Sequence, residues 1–381
     1  MAAVLMEILF GFQYTWAIDD RILQREYGIS ATWTQLVFSS AIVCFSGGMT
    51  ICAPVMRRIG YRATSMIGAV VYGAGLIIGG LGGPNVWTLI LGPGVMMGGG
   101  IALGYMPPLV TAQKWFPNRK GIVTGVVVGA FGSGAFVLSA VAKVLLSFGY
   151  DVFEVLTLFG TVCGIGIVAL SFFLVQVPES RPAEEHKERA PAGLARTALF
   201  WSLVAGLFAG TYAGLSVIGS LERIGDTLGT PEAFLKYGIL AMSLGNACGR
   251  LGWGVLTELL GTRRAVIGNL GLQAVFVWSL IFLGHLGPAF IVVPFLIGFN
   301  YGGNFVLYVT EIARTYGAGR VAAIYGMVFL VYIVSGMTAP VFAGACFRYF
   351  GTYVPPMAAA GTFALAGAVV FPLLYGRRAL E

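Results

Sequence analysis

The chain has 381 residues, of which 57% are hydrophobic and only 10% charged, and its mean hydropathy is +0.86. A soluble domain carries about a quarter charged residues, so a soluble globular enzyme is excluded. The formal net charge of +7 is read as membrane topology rather than nucleic-acid binding, because Lys and Arg collect in the cytoplasmic loops of membrane proteins.

A spanning helix needs roughly 20 apolar residues, and apolar runs between charged or turn-rich breaks give twelve such segments. They are predicted near 1–18, 33–56, 63–82, 88–113, 121–146, 153–177, 198–219, 235–257, 265–284, 287–313, 321–346 and 353–375. The first segment lacks a basic leader and runs directly into Asp19 and Asp20, so no cleavable signal peptide is expected. Residues 178–197 are rich in Pro, Ala and charge and read as a cytoplasmic linker between an N-terminal six-helix bundle (1–177) and a C-terminal one (198–381). The expected fold is therefore all-α and membrane-embedded, with twelve transmembrane helices in two six-helix pseudo-symmetric bundles.

Charge placement orients the segments. Of the 23 Lys and Arg residues, 16 fall in loops on the linker side, six lie on or near the opposite side, and Arg250 lies inside a span. The linker and both termini are therefore expected in the cytoplasm, in a cell inner or plasma membrane. The halves also repeat: Ala53 to Arg62 (APVMRRIGYR) recurs 201 positions later as Gly254 to Arg263 (GVLTELLGTR), with the Gly and the final Arg in register.

This repeat resembles the loop motif Gly-x-x-x-Asp-Arg-x-Gly-Arg-Arg of the major facilitator superfamily. The first copy departs from it, with Ala53 for Gly and Arg57 for Asp, which removes the acid a charge-paired lock would use in that loop. Four further stretches narrow the resemblance: Gln13-Tyr14-Thr15-Trp16; Gly104-Tyr105 leading into Lys114 to Gly121 (KWFPNRKG); Asn246 to Gly254 (NACGRLGWG); and Gly302-Gly303-Asn304-Phe305. Together they are similar to the oxalate/formate exchanger and bacterial monocarboxylate transporter group. The resemblance implies secondary active transport of a small organic anion by alternating access. It leaves open a dicarboxylate exchanger of the oxalate type and a drug or cation exporter of the same fold.

Arg250 lies eight residues before Glu258, about 12 Å into the span at 1.5 Å per residue. A cation at that depth is costly and faces a water-filled cavity or a partner; otherwise its side chain snorkels to the surface or pairs with an acid. No Asp or Glu lies near it in its own segment. A guanidinium matches a carboxylate in bidentate geometry, so Arg250 is the expected substrate-binding residue. Asn246, four residues earlier on the same face, can hydrogen-bond but cannot take a proton. At the comparable position the animal monocarboxylate carriers have an Asp that takes the coupling proton.

Tyr105 and Asn304 fall at similar depth, nine and ten residues from Lys114 and Arg314, and Tyr332 lies twelve from Arg320. Each is a candidate for orienting the substrate, against simple packing. Pro107 and Pro108 should kink the helix beside Tyr105. Tyr14 is nearer the outer surface, where binding and an interfacial belt compete. The oxalate exchangers carry a second cation seven residues after a Tyr-Gly pair. Here Tyr325-Gly326 is followed at that spacing by Tyr332, which favours a monocarboxylate such as lactate, pyruvate, formate or acetate. Glu7 is the candidate for a coupling proton, against a place near the cytoplasmic surface. Gly121, Gly125 and Gly129 mark a face for close helix packing.

Only His186 and His285 are present, and the five cysteines show no metal-ligand spacing. No metal, cofactor or catalytic constellation is therefore expected, and the protein is not expected to be an enzyme. The expected partners are a small carboxylate, a co-transported proton and the lipid bilayer, with no nucleic acid, for a protein acting as a monomer. Proton symport and anion exchange both stay open, although an Arg250 without its anion should resist crossing a dry closed state.

Overall fold

The computed structural model describes residues 1–175 and 189–376; the side chains of Tyr14 and Ala17 lie outside the described residues. So do residues 178–188 of the expected linker, with His186, and the basic pair Arg377 and Arg378. The described residues are helical, with no strand. In chain order the helices are α1 (Ala2–Phe10), α2 (Trp16–Glu26), α3 (Ala31–Leu81), α4 (Val86–Leu89), α5 (Met97–Trp115), α6 (Lys120–Ser147), α7 (Val152–Ser171) and α8 (Ala198–Ile218). They continue with α9 (Leu221–Leu228), α10 (Glu232–Leu260), α11 (Thr262–Leu283), α12 (Ala289–Tyr316), α13 (Val321–Phe329), α14 (Val331–Phe350) and α15 (Val354–Gly376).

Nine stretches among the described residues are long and apolar enough to cross a membrane. The remaining three of the twelve expected spans are accounted for by local structure. The first is split: a 3-10 turn at Gly11–Thr15 separates α1 from α2, and α2 runs past Asp19 with its acid in the first turn and Arg25 in the last, the arrangement the helix dipole favours. The second and third run together as α3, which is interrupted at Gly60 (φ 82°, ψ 165°). The eighth is α10, 29 residues long, whose polar Asn246 and Arg250 lower its hydropathy.

The internal repeat has a backbone signature. Gly261, 201 positions after Gly60, ends α10 with φ 77° and ψ 148°. Both copies turn the chain through a conformation that side-chain-bearing residues rarely adopt, which explains why the glycine is kept while Ala53 and Arg57 are not. The expected kink at Pro107–Pro108 is displaced: α5 continues through both prolines as α-helix. The irregular stretch lies earlier, in a π-helical turn at Ile90–Met96 around Pro93. The eleventh segment breaks between α13 and α14. The short α9 falls where the sequence reading placed only a loop; it buries Leu221, Ile224 and Gly225 on one face.

The chain forms two compact units. One comprises 1–118, 127–190 and 316–327; the other comprises 119–126, 191–315 and 328–381. In the first unit α3 packs mainly on α5 and α7. Outside the spans, Tyr27 donates its hydroxyl hydrogen bond to Asp151. Asp151 also caps α7 in a capping box with Glu154. The carboxylate raises the Tyr27 phenol to about 12, with the hydrogen bond as the largest cause. The sign follows: a raised folded value stabilises below the unfolded value near 10, and the contribution is lost as pH rises through about 12. A difference ultraviolet titration of wild type against Tyr27→Phe should reveal a phenol of midpoint near 12, moving towards 10 in Asp151→Asn; a wild-type midpoint near 10 would contradict the clamp.

In the second unit α15 packs on α8 and α11, and α14 on α8. The α8–α14 contact includes a buried hydrogen bond from Thr211 Oγ1 to Ser335 Oγ of 2.9 Å. The first turns of α6 belong to this unit. Their Gly121 and Gly125 lie against α10, where an added Cβ would come within 2.7 Å of the Gly254 and Arg250 carbonyl oxygens respectively. The Gly121 amide donates to Glu258 Oε1 at 2.7 Å, and Glu258 pairs with Arg314 at 2.6 Å. An acid at the start of α6 complements the helix dipole. The second copy of the repeated loop thus uses its Glu where the first copy has Arg57.

Candidate functional site

The site is built on α10, which carries Glu232 in its first turn, a charge that the helix dipole favours there. Four residues apart, Asn246 and Arg250 face the same side, and Arg250 Nε donates to Asn246 Oδ1 at a long 3.4 Å. Arg250 is only 2% exposed, among the most deeply buried large side chains of the protein. Its guanidinium lies over the Phe305 ring, 5.1 Å from the ring centre. Such a cation–π contact is worth about 2 kcal/mol when desolvated.

The helices α10 and α12 approach closely enough for this contact because their facing positions are glycines. A Cβ on Gly245 or Gly249 would collide with the Phe295 or Phe299 carbonyl oxygen, and one on Gly298 or Gly302 would collide with the Met242 or Asn246 carbonyl oxygen. Two small-xxx-small pairs therefore oppose each other across the interface. Beyond the glycines, Trp253 Nε1 donates to Asn300 Oδ1 at 3.1 Å, and Asn269 Nδ2 of α11 donates to the Asn300 carbonyl oxygen at 2.9 Å. These buried bonds hold α10, α11 and α12 in one register.

Around Arg250 stands an aromatic wall. Phe305 meets Tyr301 edge-on at 5.3 Å and Tyr332 edge-on at 5.6 Å. Tyr332 stacks on Phe329 at 5.1 Å, and its hydroxyl lies 3.2 Å from that of Tyr301. The wall offers apolar ring faces together with two phenolic hydroxyls that can donate or accept. A cation set against such a wall is suited to a small anion with an apolar remainder.

Arg250, Asn246 and Tyr332 are thus brought into one cluster. Asn304 is placed otherwise. It is fully buried, its Nδ2 donates to the Asn300 and Tyr301 carbonyl oxygens at 3.1 and 3.3 Å, and its amide fills the space left by Gly210 of α8. Tyr105 belongs to the first unit, where it is 4% exposed and lies edge-on to Phe45 and Phe131 at 5.7 and 5.3 Å. Glu7 is in the first unit too, wholly buried on α1. The Tyr14 side chain lies outside the described residues. Sequence reasoning missed Phe305, Tyr301 and Phe329. The usable signal was the i, i+4 pair Tyr301–Phe305, two aromatic residues on one helical face. Among the described residues no group of His, Cys, Asp and Glu could hold a metal ion.

Many long apolar helices with a buried cation among them define a multi-pass membrane protein, and comparison with known proteins gives its family. The family model of the Major Facilitator Superfamily matches residues 2–332, and the chain belongs to that superfamily as a multi-pass membrane transporter. It is 24% identical over 353 residues to the oxalate:formate antiporter of Oxalobacter formigenes, covering 90% of this chain and 82% of that one. It is 25% identical over 365 residues to human monocarboxylate transporter 11, covering 92% and 76%. Among solved structures, the E. coli fucose:proton symporter superimposes with a TM-score of 0.72 at 14% identity, over 99% of this chain and 98% of that one. At that identity the likeness shows the fold alone.

Proposed function

We propose that this transporter moves a small monocarboxylate such as lactate, pyruvate, formate or acetate across the cell inner membrane by alternating access, with Arg250 binding the carboxylate. The observation that carries this reading is the Arg250 guanidinium, 2% exposed and placed over the Phe305 ring beside Asn246. A guanidinium so placed offers its forked N–H donors to a carboxylate, and the aromatic wall accepts a short apolar tail. The similarity to an oxalate:formate antiporter and to a monocarboxylate transporter supports the same anion class. Tyr332 supports one carboxylate over two. It supplies a hydroxyl where a dicarboxylate would need a second cation to avoid an unpaired charge in a low-dielectric site.

In this reading Asn246 and Tyr332 orient the bound anion, and Tyr105 and Tyr14 are further candidates for substrate binding. Asn304 acts by packing α12 on α8. Glu7 is the group proposed to carry a proton if coupling is by symport. Both termini face the cytoplasm, the working unit is a monomer, and the protein does no chemistry on its cargo. It is a carrier and not an enzyme.

The test is uptake of labelled lactate, pyruvate, formate, acetate and oxalate into proteoliposomes. At least one monocarboxylate should be taken up, and oxalate should be carried far less well. Dependence on internal unlabelled substrate marks exchange; stimulation by an inward proton gradient, lost in Glu7→Gln, marks symport. Oxalate uptake exceeding that of every monocarboxylate would overturn the proposal.

A further inference from the structure

The first turn of α11 opens onto a cavity of about 500 Å3 that lies wholly within the second unit. Its walls include Thr262, Arg263, Arg264, Glu311, Arg314 and Tyr375. A volume of that order is typical of small-ligand sites. It contains none of the residues of the Arg250 cluster.

The walls are held in place. Arg314 Nη1 donates to the Thr257 carbonyl oxygen and to Thr262 Oγ1, each at 3.0 Å, while Nη2 pairs with Glu258. Glu311, 3% exposed, accepts at Oε1 from Tyr375 at 2.6 Å and from Thr315 at 2.8 Å. The Tyr375 ring in turn carries the Arg263 guanidinium, 5.4 Å from its centre. Arg264 is exposed and has no ion pair among the described residues.

The charges do not cancel. Glu258 answers Arg314, and Glu311 answers one of the two remaining arginines, so one full positive charge is left over. The start of α11 adds to it. Its N-cap is Gly261, no side chain caps the helix, and the Thr262 hydroxyl is already engaged by Arg314. The start of this 22-residue helix, which lines the cavity from Gly261 to Arg264, therefore brings the positive end of its dipole and uncapped N–H groups to the cavity wall. Guanidinium forks combined with a helix N-terminus are the donor set that suits a tetrahedral phosphate.

We infer that this cavity binds a phosphate group, held by Arg263, Arg264 and the first-turn N–H groups of α11. Free phosphate esters and the headgroups of anionic phospholipids share that chemistry. The cavity lies at the end of α10 and α12 where the basic loops gather, so both sources reach it.

The test uses the purified full-length protein and its Arg263→Gln/Arg264→Gln variant. One arm measures the thermal midpoint in detergent as inorganic phosphate replaces chloride at constant ionic strength. The other counts adducts by native mass spectrometry in mixed phosphatidylglycerol and phosphatidylcholine. The wild type should be stabilised by phosphate or should retain phosphatidylglycerol selectively. The double variant should bind the same probe about tenfold or more weakly, the effect of losing charge-assisted hydrogen bonds. A response in both arms assigns the phosphate group from either source. A response to phosphatidylglycerol alone assigns the lipid, and one to phosphate alone a soluble ester. No response in either arm, or an equal response in the variant, overturns the inference. Should the double variant fail to fold, Arg264→Gln alone gives the same comparison, because that exposed side chain holds no neighbour in place.

Discussion

Arg250→Ala should reduce monocarboxylate uptake into proteoliposomes by about 10²–10³-fold, equivalent to roughly 3–4 kcal/mol, because a buried carboxylate would lose its counter-charge. Arg250→Lys should recover only part of the activity: an ammonium supplies a charge but not the bidentate fork of a guanidinium. Thermal unfolding separates binding from a purely structural role. The cost of a cation inside the membrane offsets the contacts that Arg250 makes with Phe305 and Asn246, so its removal should lower the melting midpoint only modestly. An Arg250→Ala protein that melts early and still transports at the wild-type rate would show that Arg250 serves the fold. Asn246→Ala should have a smaller effect, about tenfold, since it removes a single weak bond to Arg250 Nε.

Gly249→Leu should be the most damaging change outside the Arg250 cluster itself. Even its Cβ would meet the Phe299 carbonyl oxygen, which belongs to backbone and cannot swing aside. The helices α10 and α12 must then separate, at a cost of about 1–3 kcal/mol for overpacking. The separation would also lift Arg250 off Phe305, because these residues lie on the two helices that part. Lower thermal stability and lower uptake should therefore appear together. Cys248→Leu is the control: Cys248 neighbours Gly249 in sequence but is exposed, so both readouts should stay close to wild type. A Gly249→Leu protein with wild-type stability would contradict the close approach of α10 and α12.

Much of the architecture was legible in the residues because the membrane imposes a linear code. Apolar length counts the spans, and basic loops mark one side. Distance along a helix from a loop charge measures depth, which is how Arg250 was singled out. The repeated loop was legible too, and its glycines at 60 and 261 turn the backbone alike. The sequence reading did not find the short α9 or the π-helical turn at Pro93, both of which depend on what surrounds them.

Depth says nothing about direction around the helix axis, and there the tertiary structure decided. Asn304 and Phe305 lie at nearly the same depth on α12, yet one turns to Gly210 and the other to Arg250. A step of one residue rotates a side chain by about 100°, so the choice rests on which neighbouring helix comes near. That nearness comes from glycines on both α10 and α12, a property of a pair of helices that neither span states alone. Depth along each helix was therefore set by the sequence. The wall of Tyr301, Phe305, Phe329 and Tyr332 was set by helix packing, because it joins residues from three helices that only folding brings into contact.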